Sequence, residues 1–285
     1  MGNRRQFYGR LTLLLAVLFW SLCLSPAATN ASANDRFANG YAETLGRFVD
    51  SDGLVDYQSL KANRGGLDSF ADSLAALDPA RIESWNDSEK IAFWINAYNA
   101  LTLRSIIDNY PIKSSFLTSL VYPDNSIRQI DGVWDKRTFE IAGQSLTLEQ
   151  IEHSILRGQF NEPRIHVALV CAAMGCPQLR NVPYSADSLD AQLESQALNF
   201  IANPEKFRID SKKGKVYLSS IFEWFGQDFE TRYANGPVKN FDAPRNAALN
   251  FILGYMDSEQ HSYLAESKYK IEFTSYDWSL NERPR

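Results

Sequence analysis

The sequence predicts an α+β fold: a single compact domain with a central buried helix packed on a short mixed or antiparallel sheet. Three observations predict it. The segment "DSEKIAFWINAYNALTLRSIIDNYP", starting at Asp87, is apolar around much of a helical circumference, as a helix buried on most sides must be. Short strand-like runs bounded by Gly-containing turns follow, of which "KFRIDSKKGKVYLS" is the clearest. Helices and strands mix without regular βαβ alternation, which separates α+β from α/β.

The first residues bear on the compartment. "MGNRRQFYGR" is basic, and residues 11–24 form a largely apolar stretch too short to span a bilayer comfortably. They are expected to be a signal peptide over residues 1–33, cleaved after "ASA" (Ala31 to Ala33), with Ala28 as a second candidate position. Cys23 would leave with it, and Leu22 before that cysteine is too large for lipoprotein processing. Arg4 and Arg5 resemble a twin-arginine signal, but the strongly apolar "LTLLLAVLFW" favours the Sec route. Either route implies a periplasmic or secreted protein. Removing Arg4, Arg5 and Arg10 takes the formal charge from −5 to −8, which argues against a nucleic-acid partner. No later segment reaches the length of a membrane span, so no transmembrane anchor is expected after cleavage. With 45% hydrophobic residues and no linker-like or repeated segment, residues 34–285 are expected to form one globular domain.

The elements follow in order. Residues 35–50 carry Phe37, Tyr41, Leu45 and Phe48 at helical spacing, and "DGLVDYQSLKAN" reads as a turn and a short element. A second helix is predicted over residues 66–77, stopped by Asp78 and Pro79. The central helix has Asp87 or Ser88 as its expected N-cap and Pro111 beyond its end. "IRQIDGVWDKRTFEIAGQSL" predicts short strands with Trp134 among them, and "SLTLEQIEHSILRGQF" a helix capped by Thr147 with Glu149 and Gln150 in its first turn. "RIHVALV" is short and aliphatic and predicts a buried strand leading into the "CAAMGCP" turn. A helix over residues 186–202, a hairpin turning at Lys213 and Gly214, the aromatic "SSIFEWFGQDF", a helix after Pro244 and a C-terminal strand in "YKIEFTSYDWSLN" complete the chain.

After leader removal the thiols are Cys171 and Cys176, and the imidazoles His153, His166 and His261. A thiol nucleophile needs a histidine or a helix N-terminus beside it, and the histidine needs an orienting group. On a continuous strand His166 shares a face with Ala168 and Val170, while Cys171 points the opposite way. His153 on the preceding helix is therefore the preferred partner of Cys171. Glu152 projects about 100° round an α-helix from His153 and is a poor orienter. Asn96 and Asn99 lie three apart on one face of the buried helix, where they either bond neighbouring loop backbone or line the site and orient the imidazole. A Cys171–Cys176 disulfide is the second arrangement that an exported chain permits. Zinc is the third, but His-x12-His-x4-Cys-x4-Cys is not an established ligand spacing, and no metal or cofactor is implied.

The stretches "FWINAYNALTLRSI" (93–106), "SLTLEQIEHSILR" (145–157), "RIHVALVCAAMGCPQL" (164–179) and "SSIFEWFGQDF" (219–229) together resemble the family known as domain of unknown function 547, over a core of about residues 89–230. "GLVDYQSL" upstream resembles what bacterial members carry. The resemblance implies Asn96, Asn99, Glu152, His153 and Cys171 as the characteristic polar residues, with Cys176 and His166 belonging to the bacterial form. Two functions are carried forward. One is a thiol-dependent hydrolase or acyltransferase resembling the papain and transglutaminase type: Cys171 attacks a carbonyl of a small-molecule, peptide or protein substrate, His153 serves as general base and then acid, and Asn96 or Asn99 orients the imidazole or donates to the oxyanion. The alternative is a non-catalytic periplasmic binding or scaffold domain with a structural Cys171–Cys176 disulfide.

Overall fold

The computed structural model describes residues 39–116, 118–266 and 268–284. The leader, its cleavage positions, Cys23 and Phe37 lie outside the described residues.

Helix α1 (Asn39–Phe48) buries Tyr41, Leu45 and Phe48, and Tyr41 stacks on Phe70 with ring centroids 4.9 Å apart. A tight turn follows, closed by a bridge between Val49 and Val55. Gly53 sits in it at φ +77, where any Cβ would meet the backbone nitrogen of Leu179 at 2.7 Å. The short helix α2 (Tyr57–Ala62) is capped by Asp56, and α3 (Gly65–Ala75) ends ahead of α4 (Pro79–Glu83), which has Asp78 as N-cap and proline in its first turn.

Helix α5 (Asp87–Asn109) is the expected central helix and is buried from Ile91 to Leu103 without interruption. Its N-cap is Asn86, one residue before the expected position. Asn86 accepts from the amide of Glu89 while the Glu89 carboxylate accepts from the amide of Asn86, a capping box that satisfies two otherwise orphaned donors. The helix stops before Pro111, which disfavours helical backbone at Tyr110.

Strands β1 (Thr138–Ile141) and β2 (Gln144–Thr147) form an antiparallel hairpin turning at Ala142 and Gly143, both at positive φ. Thr147 and Gln150 then form a second capping box, as the Thr147 signal predicts. The helix it opens is wound wider than expected: residues Gln150–Leu156 are π-helical, with an α-helical end at Arg157–Gln159.

"RIHVALV" is not a strand. Pro163–Val167 form a 3-10 turn capped by Glu162, and the amides of Ala168 and Leu169 both bond the carbonyl of Ile165. The run is apolar because it threads between packed elements, and a short buried run of this kind does not reveal its backbone type by periodicity.

Helix α6 (Leu189–Ala202) precedes the mixed sheet. Strands β3 (Phe207–Asp210) and β4 (Lys215–Ser219) pair antiparallel around Gly214 at φ +60, and β5 (Lys270–Thr274) adds parallel to β4. Between β4 and β5 lie α7 (Ser220–Phe225) and α8 (Ala243–Leu253), the latter capped by Asp242. The whole is α+β, with small sheets among many helices. The central helix packs chiefly on other helices and not on the sheet. It anchors one buried cluster with Tyr41, Leu60 and Ile151, whereas the sheet belongs to a second with Phe200, Phe222, Phe229 and Phe251. No helix among the described residues is long and apolar enough to cross a membrane.

Candidate functional site

The two clusters meet at a cavity of about 290 Å³. Leu169 and Cys171 face it from the first cluster, Ile221 and Phe225 from the second, and Tyr276 packs on both. Its aromatic wall comes from four separate stretches. Tyr98 projects from α5, Trp134 from the segment before β1, and Trp224 from α7, while Tyr276 and Trp278 lie two apart on the extended chain after β5 and so share a face. Trp224 lies 4.9 Å from Tyr276 and 6.3 Å from Trp278 between ring centroids.

Cys171 and Cys176 are joined in a disulfide with their Cα atoms 6.0 Å apart. The loop it closes is held on several sides. Met174 and Gly175 donate their amides to the carbonyls of Ser279 and Asp277, and the Tyr276 ring lies where a Cβ on Gly175 would stand. The buried Lys206 donates Nζ to the Met174 carbonyl at 2.6 Å, and burial lowers its pKa to about 8. Disulfide sulfurs only accept, so the Tyr276 hydroxyl is the donor toward Cys171 Sγ at 3.1 Å and Cys176 Sγ at 3.2 Å.

Asn96 and Asn99 spend their amides on backbone. Asn96 donates to the carbonyl of Tyr184 and accepts from its amide, at 2.7 and 2.9 Å. Asn99 donates to Ala168 and accepts from Val170, at 3.0 and 2.9 Å. Both clamp loops against the central helix, and neither orients an imidazole.

Glu152 and His153 both line the cavity. A π-helical turn carries more residues than an α-helical one, so consecutive side chains diverge by less than the 100° expected, and both reach one face. Glu152 accepts from the hydroxyl of Tyr98, which in turn accepts from the Trp134 indole. His153 bonds Arg157 through Nδ1 at 2.6 Å. A guanidinium cannot accept, so the Nδ1 lone pair is engaged and the ring proton of neutral His153 sits on Nε2. The expected Cys171 and His153 pair therefore has a bonded sulfur on one side and an imidazole without a free basic nitrogen on the other.

His166, set aside by the strand geometry, also lines the cavity. Its ring stacks on Phe225 at 4.2 Å with planes 12° apart, and Nε2 meets Asp228 Oδ2 at 2.7 Å. Arg157 grips the same carboxylate with two bonds of 2.6 and 2.9 Å, linking both histidines through one network. Arg157 stands four residues after His153 and Asp228 lies within "FGQDF", but their meeting across about 70 residues leaves no local signal. The period-two spacing of Tyr276 and Trp278 was the readable hint of the aromatic wall.

Burial alone would raise the pKa of Asp228, but the bonds from His166 and Arg157 outweigh it and hold the carboxyl well below its usual value of about 3.9. A carboxyl lowered in the folded state contributes stability above its unfolded pKa and loses it as pH falls toward the folded one. The urea midpoint is thus expected to drop below about pH 4, and Asp228→Asn should flatten part of that drop. Glu162, which burial would raise but Arg164 and Arg232 lower, adds to the same drop, as does Asp210, lowered by its bonds with Lys213. An unchanged acid slope in the variant would remove Asp228 from this account.

Among the described residues no group of three or more His, Cys, Asp or Glu side chains could hold a metal ion. Fold and site together define an α+β domain in which one sulfur of a disulfide, that of Cys171, faces an aromatic cavity. Residues 82–201 match the family described as "Protein of unknown function, DUF547". The match includes Asn96, Asn99, Glu152, His153, His166, Cys171 and Cys176 and ends before Trp224, Asp228, Tyr276 and Trp278, so it is shorter at its C-terminal end than the core of about 89–230 expected from sequence. No curated protein and no solved structure matches the chain.

Proposed function

We propose that this chain is an exported domain that binds a small molecule in the aromatic cavity, with Cys171–Cys176 as a fixed structural element of its wall. The observation that carries the reading is the disulfide itself: the sulfur that a thiol mechanism would use is bonded, and it faces a cavity walled mostly by rings. Structural disulfides persist in oxidising compartments, which agrees with the expected signal peptide and a periplasmic or secreted location. A concave site of about 290 Å³ stands at the lower end of the range for small-molecule pockets, about 300 to 1,000 Å³.

The test is a tryptophan-fluorescence screen of the oxidised chain against compounds of several chemical classes, repeated with Trp224→Ala. Trp224 is 47% exposed, so truncating it should cost little stability. Removing a ring that the ligand stacks on should weaken binding about tenfold or more. Equal affinity in the variant would place the ligand elsewhere. A second reading, the thiol hydrolase or acyltransferase, is favoured by one observation: Cys171 lines the same cavity as His153 and His166. It requires the disulfide to open and His153 to release Arg157 before chemistry starts.

A further inference from the structure

Arg128 and Glu152 both line the aromatic cavity, and both also line the depression beside it that runs along Val133 and Trp134. They carry opposite charges, yet they are not partners. The Arg128 guanidinium is boxed by rings, with its carbon 4.6 Å from the centroid of Tyr122, 5.1 Å from Trp278 and 5.4 Å from Trp134. Nη2 donates to the Tyr122 hydroxyl at 2.6 Å, Nε is buried with no hydrogen-bond partner, and no carboxylate among the described residues stands within ion-pair distance. Glu152 is half-buried and accepts from the Tyr98 hydroxyl. No cation among the described residues stands within ion-pair distance of it; Arg157, which feels its charge, bonds Asp228 instead.

A half-buried charge with no opposite charge at ion-pair distance is costly, and two of opposite sign in one small cavity are relieved together by a ligand carrying both complements. A planar guanidinium fork matches a carboxylate, and a carboxylate with spare lone pairs matches an ammonium group. The rings of Trp224, Tyr276 and Trp278 suit an apolar or aromatic substituent between the two charges. Resting on the binding reading above, we infer that the ligand is a zwitterion of amino-acid or dipeptide size, with its carboxylate on Arg128 and its ammonium group on Glu152.

The test uses the oxidised chain and isothermal calorimetry with the free L-amino acids, a set of free dipeptides, and the C-amidated, N-acetylated and doubly blocked forms of each. At least one free form should bind, and blocking either end should weaken it about tenfold or more, the worth of a charge-assisted hydrogen bond. In Arg128→Gln amidation should cost nothing further, and in Glu152→Gln acetylation should cost nothing further. If Arg128→Gln fails to fold, the blocked compounds on the unaltered chain decide alone. Doubly blocked forms binding as well as free ones, or a screen hit of a different class with no zwitterion bound, would overturn the ligand class and leave the binding reading standing. Absence of binding by every compound in this set and in the fluorescence screen would overturn both.

Discussion

Replacing Asn99 by alanine is expected to destabilise the protein by about 3 kcal/mol, since two buried backbone groups lose their partner at once and each orphaned group costs about 1–3 kcal/mol. The carbonyl of Ala168 and the amide of Val170 have no water to turn to, because Ala168 and Val170 are buried and Asn99 is 3% exposed. Asn99→Asp should not rescue the loss: it keeps the acceptor for Val170 but removes the donor to Ala168 and buries a charge. The measurement is the urea midpoint of each variant, with exposed Asn161→Ala as control, expected within about 0.5 kcal/mol of the parent. A change below about 1 kcal/mol in Asn99→Ala would show that the loop holds its shape without the clamp. Because the clamped loop leads directly into Cys171, the variant should also speed hydrogen exchange at Val170.

Opening the disulfide is expected to cost about 2 kcal/mol, the chain-entropy worth of a loop this short. The comparison is the stability of the protein purified without reductant against the Cys171→Ser, Cys176→Ser double variant. Maleimide should label neither Cys171 nor Cys176 in the oxidised chain and both after reduction. The same preparations separate the two functional readings. If the disulfide is structural, ligand binding survives in the double variant with at most a modest loss. If Cys171 alkylates readily without reductant, and does so in a manner that His153→Ala abolishes, the thiol mechanism gains and the structural disulfide falls. Tyr276 gives an independent handle. Its hydroxyl, pushed up in pKa by burial and by Glu152, donates to both sulfurs, so Tyr276→Phe should remove that bond while keeping the ring on Gly175.

Much of the architecture was legible because its signals are local. Thr147 with Gln150 announced a helix start, Lys213 and Gly214 a hairpin, and the unbroken apolar circumference after Asp87 a buried helix, since each depends on torsions or hydrogen bonds within a few residues. Asn86 was missed as the cap by one residue because Asn86, Asp87 and Ser88 are all good caps, and only the reciprocal bond with Glu89 chooses among them. The π winding of residues 150–156 has no comparable signature, and it is what brings Glu152 beside His153 on one face.

By itself the sequence determined the class of fold, the helices that build it, and the small set of polar residues from which a site could be drawn. Which of them meet was decided by tertiary structure. Asn99 finds Val170 across 71 residues, His166 finds Asp228 across 62, and Tyr276 finds Cys171 across 105. Such contacts form when separate elements bury their apolar faces together, and polar groups left inside must then take the partners that packing has placed beside them. For that reason Cys171 pairs with Cys176 and not with His153, and the segment "RIHVALV" curls into a turn where alternation alone could not exclude a strand.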